Sequence, residues 1–384
     1  MRKTIIIIFA IILLLMAGCT TQPEAISTQE SAETESQEIK VVIEYTDDAS
    51  SIPQLTELPK TPVPTPETTE TPMPTAEPTS TPEPTPTPIT YVAPEGVYTI
   101  AWISDPQHYS AKFPELYDSM TLFLRDKRDE LNLQYVIHTG DLVNDSADKK
   151  QWEVAQKAQS YIDDIPNGVL ARNHDCLKSD YTLYCKYFGK AKYNKNPWYG
   201  DAYKDNIGHY DLLTIGNTDY LFVYMSYGLD DKCIKWINSV FEKYPDRVGF
   251  LMLHEYFTND YERAPIGEKI YKKVVLKNPN LYYVLCGHRY GAYHQADVID
   301  DNQDGVPDRT VHQMMFNYQA AGKVGGEGYL RLLQIDEKQR LMHVMTYSPN
   351  LDDFNRFNDP ENREKHYEID ETSEDFILEL PWMK

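Results

Sequence analysis

No C-x-x-C pair occurs among the five cysteines of this 384-residue chain, so neither a zinc ribbon nor a thioredoxin-type redox site is indicated. Basic residues are too few to balance the acids: 37 Lys and Arg stand against 59 Asp and Glu, a formal net charge of -22. Such a chain repels polyanions, which excludes nucleic acid as a partner held by bulk electrostatics. The apolar run at residues 5–15 is too short to cross a bilayer, which takes about 20 residues. Beyond the prolines near the N-terminus there is no second Pro/Gly/Ser-rich break to divide the chain into domains.

The N-terminus has the layout of an export signal. Arg2 and Lys3 form a basic start, residues 5–15 an apolar core, and Met16-Ala17-Gly18-Cys19 a small-residue cleavage site. Ending on Gly-Cys, the segment resembles a bacterial lipobox, with Met16 where Leu is more usual. That resemblance implies that residues 1–19 are a lipoprotein signal and that Cys19 becomes a lipidated first residue. Its several acyl chains would hold the protein to the outer face of the cell membrane where one chain would not. An ordinary secreted protein, with Cys19 removed or free, is the open alternative. Residues 20–94 read as a disordered Pro/Thr-rich stalk, because 13 of the 25 prolines fall between Pro53 and Pro94. Repeated Pro disfavours helix and sheet alike and leaves polyproline II, so residues 59–88 would reach on the order of 90 Å at about 3.1 Å per residue. A disordered tail with no spanning role has nearly the same physics.

Residues 95–350 read as one domain, followed by an acidic C-terminal extension at 351–384, packed on or trailing the domain. Apolar runs bounded by turns predict strands at 97–104 and 133–139, with helical periodicity at 113–132 and again at 149–163. Two strands around Gly216-Asn217 follow at 209–227, then an amphipathic helix at 230–244. Further strands end at His254 and His288, with a helix at 266–276 between them. Segments 295–299, 311–318, 329–335 and 341–347 are expected to be antiparallel strands closing a second sheet, and 376–380 is the one regular stretch near the C-terminus. Cys233 and Cys286 sit in apolar runs and should be buried. Only Cys176 and Cys185 are near enough in sequence to suggest a disulfide, whose formation the sequence leaves open.

Five of these segments place Asp, Asn or His at the end of a strand-like run: ISDPQH (103–108), IHTGDLVND (137–145), VLARNHD (169–175), FLMLHEY (250–256) and YVLCGHRY (283–290). Open α/β sheets build sites at the carboxyl ends of their strands, where loops converge. A set of carboxylate, amide and imidazole groups without Cys suits hard divalent cations. The order D, G-D, N-H-D, H, G-H resembles the calcineurin-like metallophosphoesterase family, written D-x-H, G-D-x-x-D/N, G-N-H-D/E, H, G-H-x-H, over roughly residues 98–349. The fold implied is α/β, two mixed β-sheets packed as a sandwich flanked by helices.

The resemblance also implies two divalent metal ions, from among Mn, Fe, Zn and Mg. Asp105 and Gln107 would serve metal one, Asp141 would bridge, and Asn173, His254 and His288 would complete metal two. His174 would bind the phosphate or protonate the leaving oxygen, Asp175 would fix its tautomer, and Asn144 would support them. Metal one departs from the pattern. Gln107 stands for the His of D-x-H, although branches with D-x-Q exist, and Tyr290 replaces the last His. A phenol with a pKa near 10 is a poor ligand, so this site should bind weakly and favour Mn, Mg or Ca, with His108 or His294 as substitutes. Arg172 replaces the Gly before Asn-His-Asp. If that Gly has a positive φ, Arg costs roughly 1 kcal/mol or more. Arg172 and Arg289, with Tyr290, are candidate substrate contacts, since guanidinium groups suit phosphate oxygens; solvated surface positions are the plain alternative for both arginines.

One more loop has metal-like spacing. Asp300, Asn302, Asp304 and Asp308 follow D-x-N-x-D-G-x-x-D, as calcium loops do, but Val311 stands where position twelve needs Glu and no helices flank it. A calcium ion there and a solvated acidic hairpin tip are both open. The function expected is an extracytoplasmic, metal-dependent phosphoesterase acting on a phosphorylated small molecule or cell-envelope polymer. The alternative is a metal-binding pseudoenzyme that recognises such a ligand without turnover. The stalk alone as the working part, a structural wall protein, is disfavoured by the complete metal-two set. Oligomeric state is not legible, and Trp198-Tyr199 and Tyr293 could line a pocket or the core.

Overall fold

The computed structural model describes residues 90–176, 179–319, 326–354 and 373–383. The export signal, Cys19 and nearly all of the proline-rich stretch lie outside the described residues. The described chain is four-layered, helix on sheet on sheet on helix.

The first sheet starts with β1 (Tyr98–Ile103), all six residues of which are buried. The chain then turns into α1 (Gln107–Lys112), α2 (Pro114–Asp126) and α3 (Arg128–Leu131) before β2 (Leu133–His138). The helical periodicity at 113–132 is carried by two helices, α2 and α3, with Lys127 off helical geometry between them and Asn132 in the left-handed region at φ 45° to end α3. After α4 (Lys149–Ser160), capped by Asp148 on the Lys150 amide, β3 (Asn167–Val169) adds to the parallel set β1-β2-β3.

The second sheet is entered through α5 (Thr182–Phe188) and α6 (Lys190–Tyr193). It comprises β4 (Tyr199–Tyr203), β5 (Gly208–Ile215), β6 (Thr218–Met225), β7 (Val248–Met252), β8 (Leu281–Cys286), β9 (Gly291–Ile299) and β10 (Arg309–Asn317), with α7 (Asp231–Lys243) and α8 (Pro265–Lys273) as crossovers. Its order is β4-β5-β6-β7-β8-β10-β9, and β6, β7, β8 and β10 run parallel.

The next strands return to the first sheet. β11 (Leu330–Asp336) pairs antiparallel with β1, and β12 (Leu341–Ser348) with β11. The expectation that 329–335 and 341–347 close the second sheet is thus overturned. β11 is apolar on both faces: Leu333 and Ile335 enter the core between the sheets, while Leu330 and Leu332 face the helices. The free edge of β1 offers cover on both sides, and periodicity along one strand carries no information about which sheet will supply it. β13 (Asp353–Phe354) and β14 (Asp375–Glu379) both pair with β12, so these two stretches of the C-terminal segment are strands of the first sheet.

Three apolar layers hold this arrangement. Between the sheets, Tyr135 stacks on Phe222 at 4.1 Å and Phe250 on Tyr283 at 4.3 Å; helices cover the outer faces. Tyr91 packs edge-on against Phe123, and the Ala93 amide donates to the Glu130 carbonyl. Cys233 and Cys286 are buried, as their runs implied, and Cys176 and Cys185 are free thiols, not a disulfide. No helix among the described residues is long and apolar enough to cross a membrane.

Candidate metal centre

The five motif segments meet at the carboxyl ends of β1, β2, β3, β7 and β8, because all five strands run parallel within their sheets. Three of the expected ligands sit in strained backbone. Asp105, Asp141 and His288 have φ of 53°, 55° and 70°, beside Gly140 at 93°, a region that costs a non-glycine residue of order 1 kcal/mol and that gathers at functional sites. The turns are braced. The Asp105 amide donates to the Gly140 carbonyl at 3.3 Å, the Gly140 amide to His138 Nδ1 at 3.0 Å, and the His288 amide to Asp105 Oδ1 at 3.1 Å. His138, deeply buried, has its pKa pushed down to about 3 by desolvation, which keeps it a neutral acceptor.

Asp141, His254 and His288 present ligand atoms within 4.8 Å of one another, the one such group among the described residues. His254 Nε2 lies 3.1 Å from Asp141 Oδ2 and 3.3 Å from Asp105 Oδ1. Its Nδ1 donates to the Thr139 carbonyl at 2.8 Å, which fixes the tautomer and leaves the Nε2 lone pair facing the carboxylates. His288 is driven toward neutrality, to about 4, by burial first and then by Arg172 and Arg289.

The donor set fits divalent metal. Gln107 Oε1, Asn173 Oδ1 and His254 Nε2 are buried with no hydrogen-bond partner among the described residues. All three are lone-pair donors of the type such ions take, and unmet buried acceptors are costly. The carboxyls of Asp105 and Asp175 are raised well above their usual range by burial and by the neighbouring Asp141, and Asp141 is raised by burial. Cations at this point relieve both desolvation and repulsion.

The remaining expected residues divide. Gln107 and His108 stand in the first turn of α1. Both line one cavity with Asp141, His174, His288 and Tyr290. Tyr290 is exposed, at 38%, with its phenol pushed up by partial desolvation and by Asp105 and Asp141. His294 is not at the centre: it contacts His312 at 3.1 Å and stacks on Phe376. Asp175 does not orient His174. It accepts from the Val143 and Arg172 amides at 3.0 and 2.9 Å, whereas His174 Nδ1 meets the Asn144 carbonyl at 2.9 Å. Arg172 is outside the positive-φ region, so the strain expected of it is absent. It is 2% exposed and lies against Gly140, which also overturns a solvated surface position. Arg289 pairs with Glu255 at 3.5 Å.

In the loop between β9 and β10, Asp300, Asn302, Asp304 and Asp308 spend oxygens on main-chain amides, including Gly305 to Asp300 at 2.7 Å and Asp304 to Asn302 at 2.8 Å. Nothing there singles out a calcium ion from a self-bonded hairpin tip. Trp198 packs against the core between the sheets, and Tyr293 against Phe257 and Tyr261.

Sequence reasoning missed Glu255, Asn259, Gln319, Ser226 and Tyr227. Glu255 directly follows a motif His, and Ser226-Tyr227 follows the apolar run of β6. The same strand-end criterion that found the ligands would have found both.

Residues 98–290 match the profile of the calcineurin-like phosphoesterase family, a shorter stretch than the sequence pattern suggested. A Bacillus subtilis (strain 168) protein, uncharacterized protein YvnB, is 46% identical over 265 residues, 68% of this chain. The chain spans about a fifth of that protein's length, 20%. Among solved structures, a dimetal phosphatase from Danio rerio aligns with TM-score 0.45 and 11% identity over 66% of this chain and 97% of its own. Purple acid phosphatase PPD1 from yellow lupin (Lupinus luteus) seeds aligns at 0.49 and 9% over 76% and 55%. Both are too distant for roles to be transferred from them.

Proposed function

Because the chain belongs to the calcineurin-like phosphoesterase family, we propose that its domain hydrolyses a phosphomonoester or phosphodiester with two divalent metal ions held at the cluster of Asp105, Asp141, Asn173, His254 and His288. The observation that carries this reading is a set of orphaned acceptors on the motif residues: Gln107 Oε1, Asn173 Oδ1 and His254 Nε2 have no hydrogen-bond partner among the described residues. When bound, the cations supply Lewis acidity toward the phosphoryl group and the attacking water.

The chain's own groups do the rest. Asp141 lies within reach of His254 Nε2 and accepts from Gln107 Nε2 at 3.1 Å, contacts that suit a carboxylate shared by two ions. With Nδ1 donating to the Asn144 carbonyl, His174 keeps Nε2 for the substrate. To hand a proton to the leaving alcohol from that atom, the ring must enter the step as imidazolium. Arg172 and Arg289 bring positive charge to the phosphoryl oxygens. With Tyr290 where the family pattern has a metal-binding His, one of the two ions would find fewer protein ligands and would be the more weakly held.

The export signal and stalk composition support a domain displayed outside the cytoplasm on lipidated Cys19, acting on a phosphorylated small molecule or cell-envelope polymer. Tyr290 and Arg172 also favour a second reading, a cluster that binds metal and a phosphorylated ligand without turnover. Metal analysis after mild purification, followed by assay of nitrophenyl phosphate mono- and diesters across a Mn titration, separates the two. We expect bound metal that His254→Ala removes. Activity should rise after the first ion is bound, disappear in Asp141→Asn and increase at low Mn in Tyr290→His. Bound metal with no turnover in the parent, and turnover appearing only in the Arg172→Gly/Tyr290→His double variant, establishes the non-catalytic reading. Failure to bind metal refutes both.

A further inference from the structure

Two cavities meet at the ligand cluster, and they differ in character. One, of about 250 Å³, is polar, lined by His174, Asn259, Tyr290 and Gln319 beside the ligands Asp141 and His288. The other, of about 230 Å³, has apolar walls from Met225, Tyr227, Leu229 and Ile266, with Arg172 and His254 on its polar side. His254 Nε2 of the second lies 3.1 Å from Asp141 Oδ2 of the first, so the two cavities adjoin at the cluster and a phosphoryl group held there would border both. Arg289 and Glu255, one from each cavity, pair at 3.5 Å across the division.

Arg172 is the second observation. Its side chain is 2% exposed, and its Nε and Nη2 have no hydrogen-bond partner among the described residues. The Tyr227 ring lies 5.5 Å from its guanidinium carbon. A buried guanidinium with unmet donors is costly unless an anion completes it, and a phosphoryl oxygen matches its geometry. Apolar walls next to it call for something other than a second charged group, and Glu255 beside them repels one.

Resting on the phosphoesterase reading, we propose that the substrate is a phosphodiester: Arg172 takes a non-bridging phosphoryl oxygen, and an alkyl or aryl alcohol of the diester occupies the apolar cavity. In the reaction the water oxygen bonds to phosphorus and the P–O bond to one alcohol breaks. That alcohol leaves with a proton, and the phosphomonoester of the other alcohol remains. A monoester, with a single alcohol, fills only one of the two cavities, whereas the two alcohols of a diester fill both.

The test uses the full chain loaded with Mn, with bis(4-nitrophenyl) phosphate and 4-nitrophenyl phosphate as probes. The parent should favour the diester at least tenfold in kcat/KM. Leu229→Trp and Ile266→Trp, which fill the cavity, should each reduce that preference about tenfold, and Arg172→Gly should raise KM for the diester. Metal content measured alongside distinguishes a filled cavity from a misfolded variant. A preference for the monoester, or an undiminished diester preference in both Trp variants with normal metal content, overturns the proposal while leaving the phosphoesterase reading intact. If neither ester turns over, calorimetric binding of the same two probes decides. Tighter diester binding that the Trp variants lose supports the cavity assignment and refutes catalysis, whereas equal binding of the two overturns the assignment.

Discussion

Gly287 has no room for a side chain. A Cβ there would collide with Asp105 Oδ2 and Ser104 Oγ, and Gly287 lies outside the positive-φ region, so close approach rather than backbone freedom requires it. The obstructed atoms are the ends of side chains, which can move; the cost of Gly287→Ala should therefore fall on the metal centre more than on the fold. We expect Mn affinity to drop at least tenfold, about 1.4 kcal/mol, with the metal-free melting temperature changing by only a few degrees. Calorimetric titration checks this, and an unchanged affinity would remove Asp105 from the ligand set. At this scale Asp105, Asp141, His254 and His288, which the fold brings together, were legible as a candidate cluster because each ends an apolar run. The role of Asp175 was not: its hydrogen bonds go to main-chain amides of two different loops, which no motif spacing encodes.

Strand β14 shows what the element scale adds. Leu378 is 5% exposed and Ile377, its neighbour, 62%, the alternation of a strand with one face on the core. Leu380 and Trp382 continue that face into the apolar layer between the sheets. Leu378→Ala should destabilise the protein by about 2–4 kcal/mol, while Ile377→Ala should stay within about 0.5 kcal/mol. Urea denaturation of the two variants beside the parent makes the comparison. Equal small effects would mean that β14 does not pack as a member of the sheet. The sequence marked 376–380 as regular but could not assign its partner, since β12 precedes it by some thirty residues of chain and the pairing is decided by which edge stands free.

For the whole molecule the open matter is where it works. A net charge of -22 does not by itself favour an anionic membrane surface, so attachment would rest on acyl chains at Cys19. Cys19→Ser should then release the protein from membranes or block its processing, and membrane fractionation of mutant and parent reads this out. Full membrane retention of a processed mutant would rule out lipidation at that residue.

Local chemistry along the chain determined the candidate ligand types, the strands that carry them and the α/β sandwich. An apolar run ending in Asp or His means the same thing wherever it lies in a parallel sheet. Tertiary structure alone decided that β11 and β12 join the first sheet, that Arg172 is buried against Gly140 rather than solvated, and that His294 belongs to a pair with His312 instead of the centre. Each of these depends on a partner from a distant part of the chain. Pattern along one segment records its own periodicity and polarity, not the surface that will cover it.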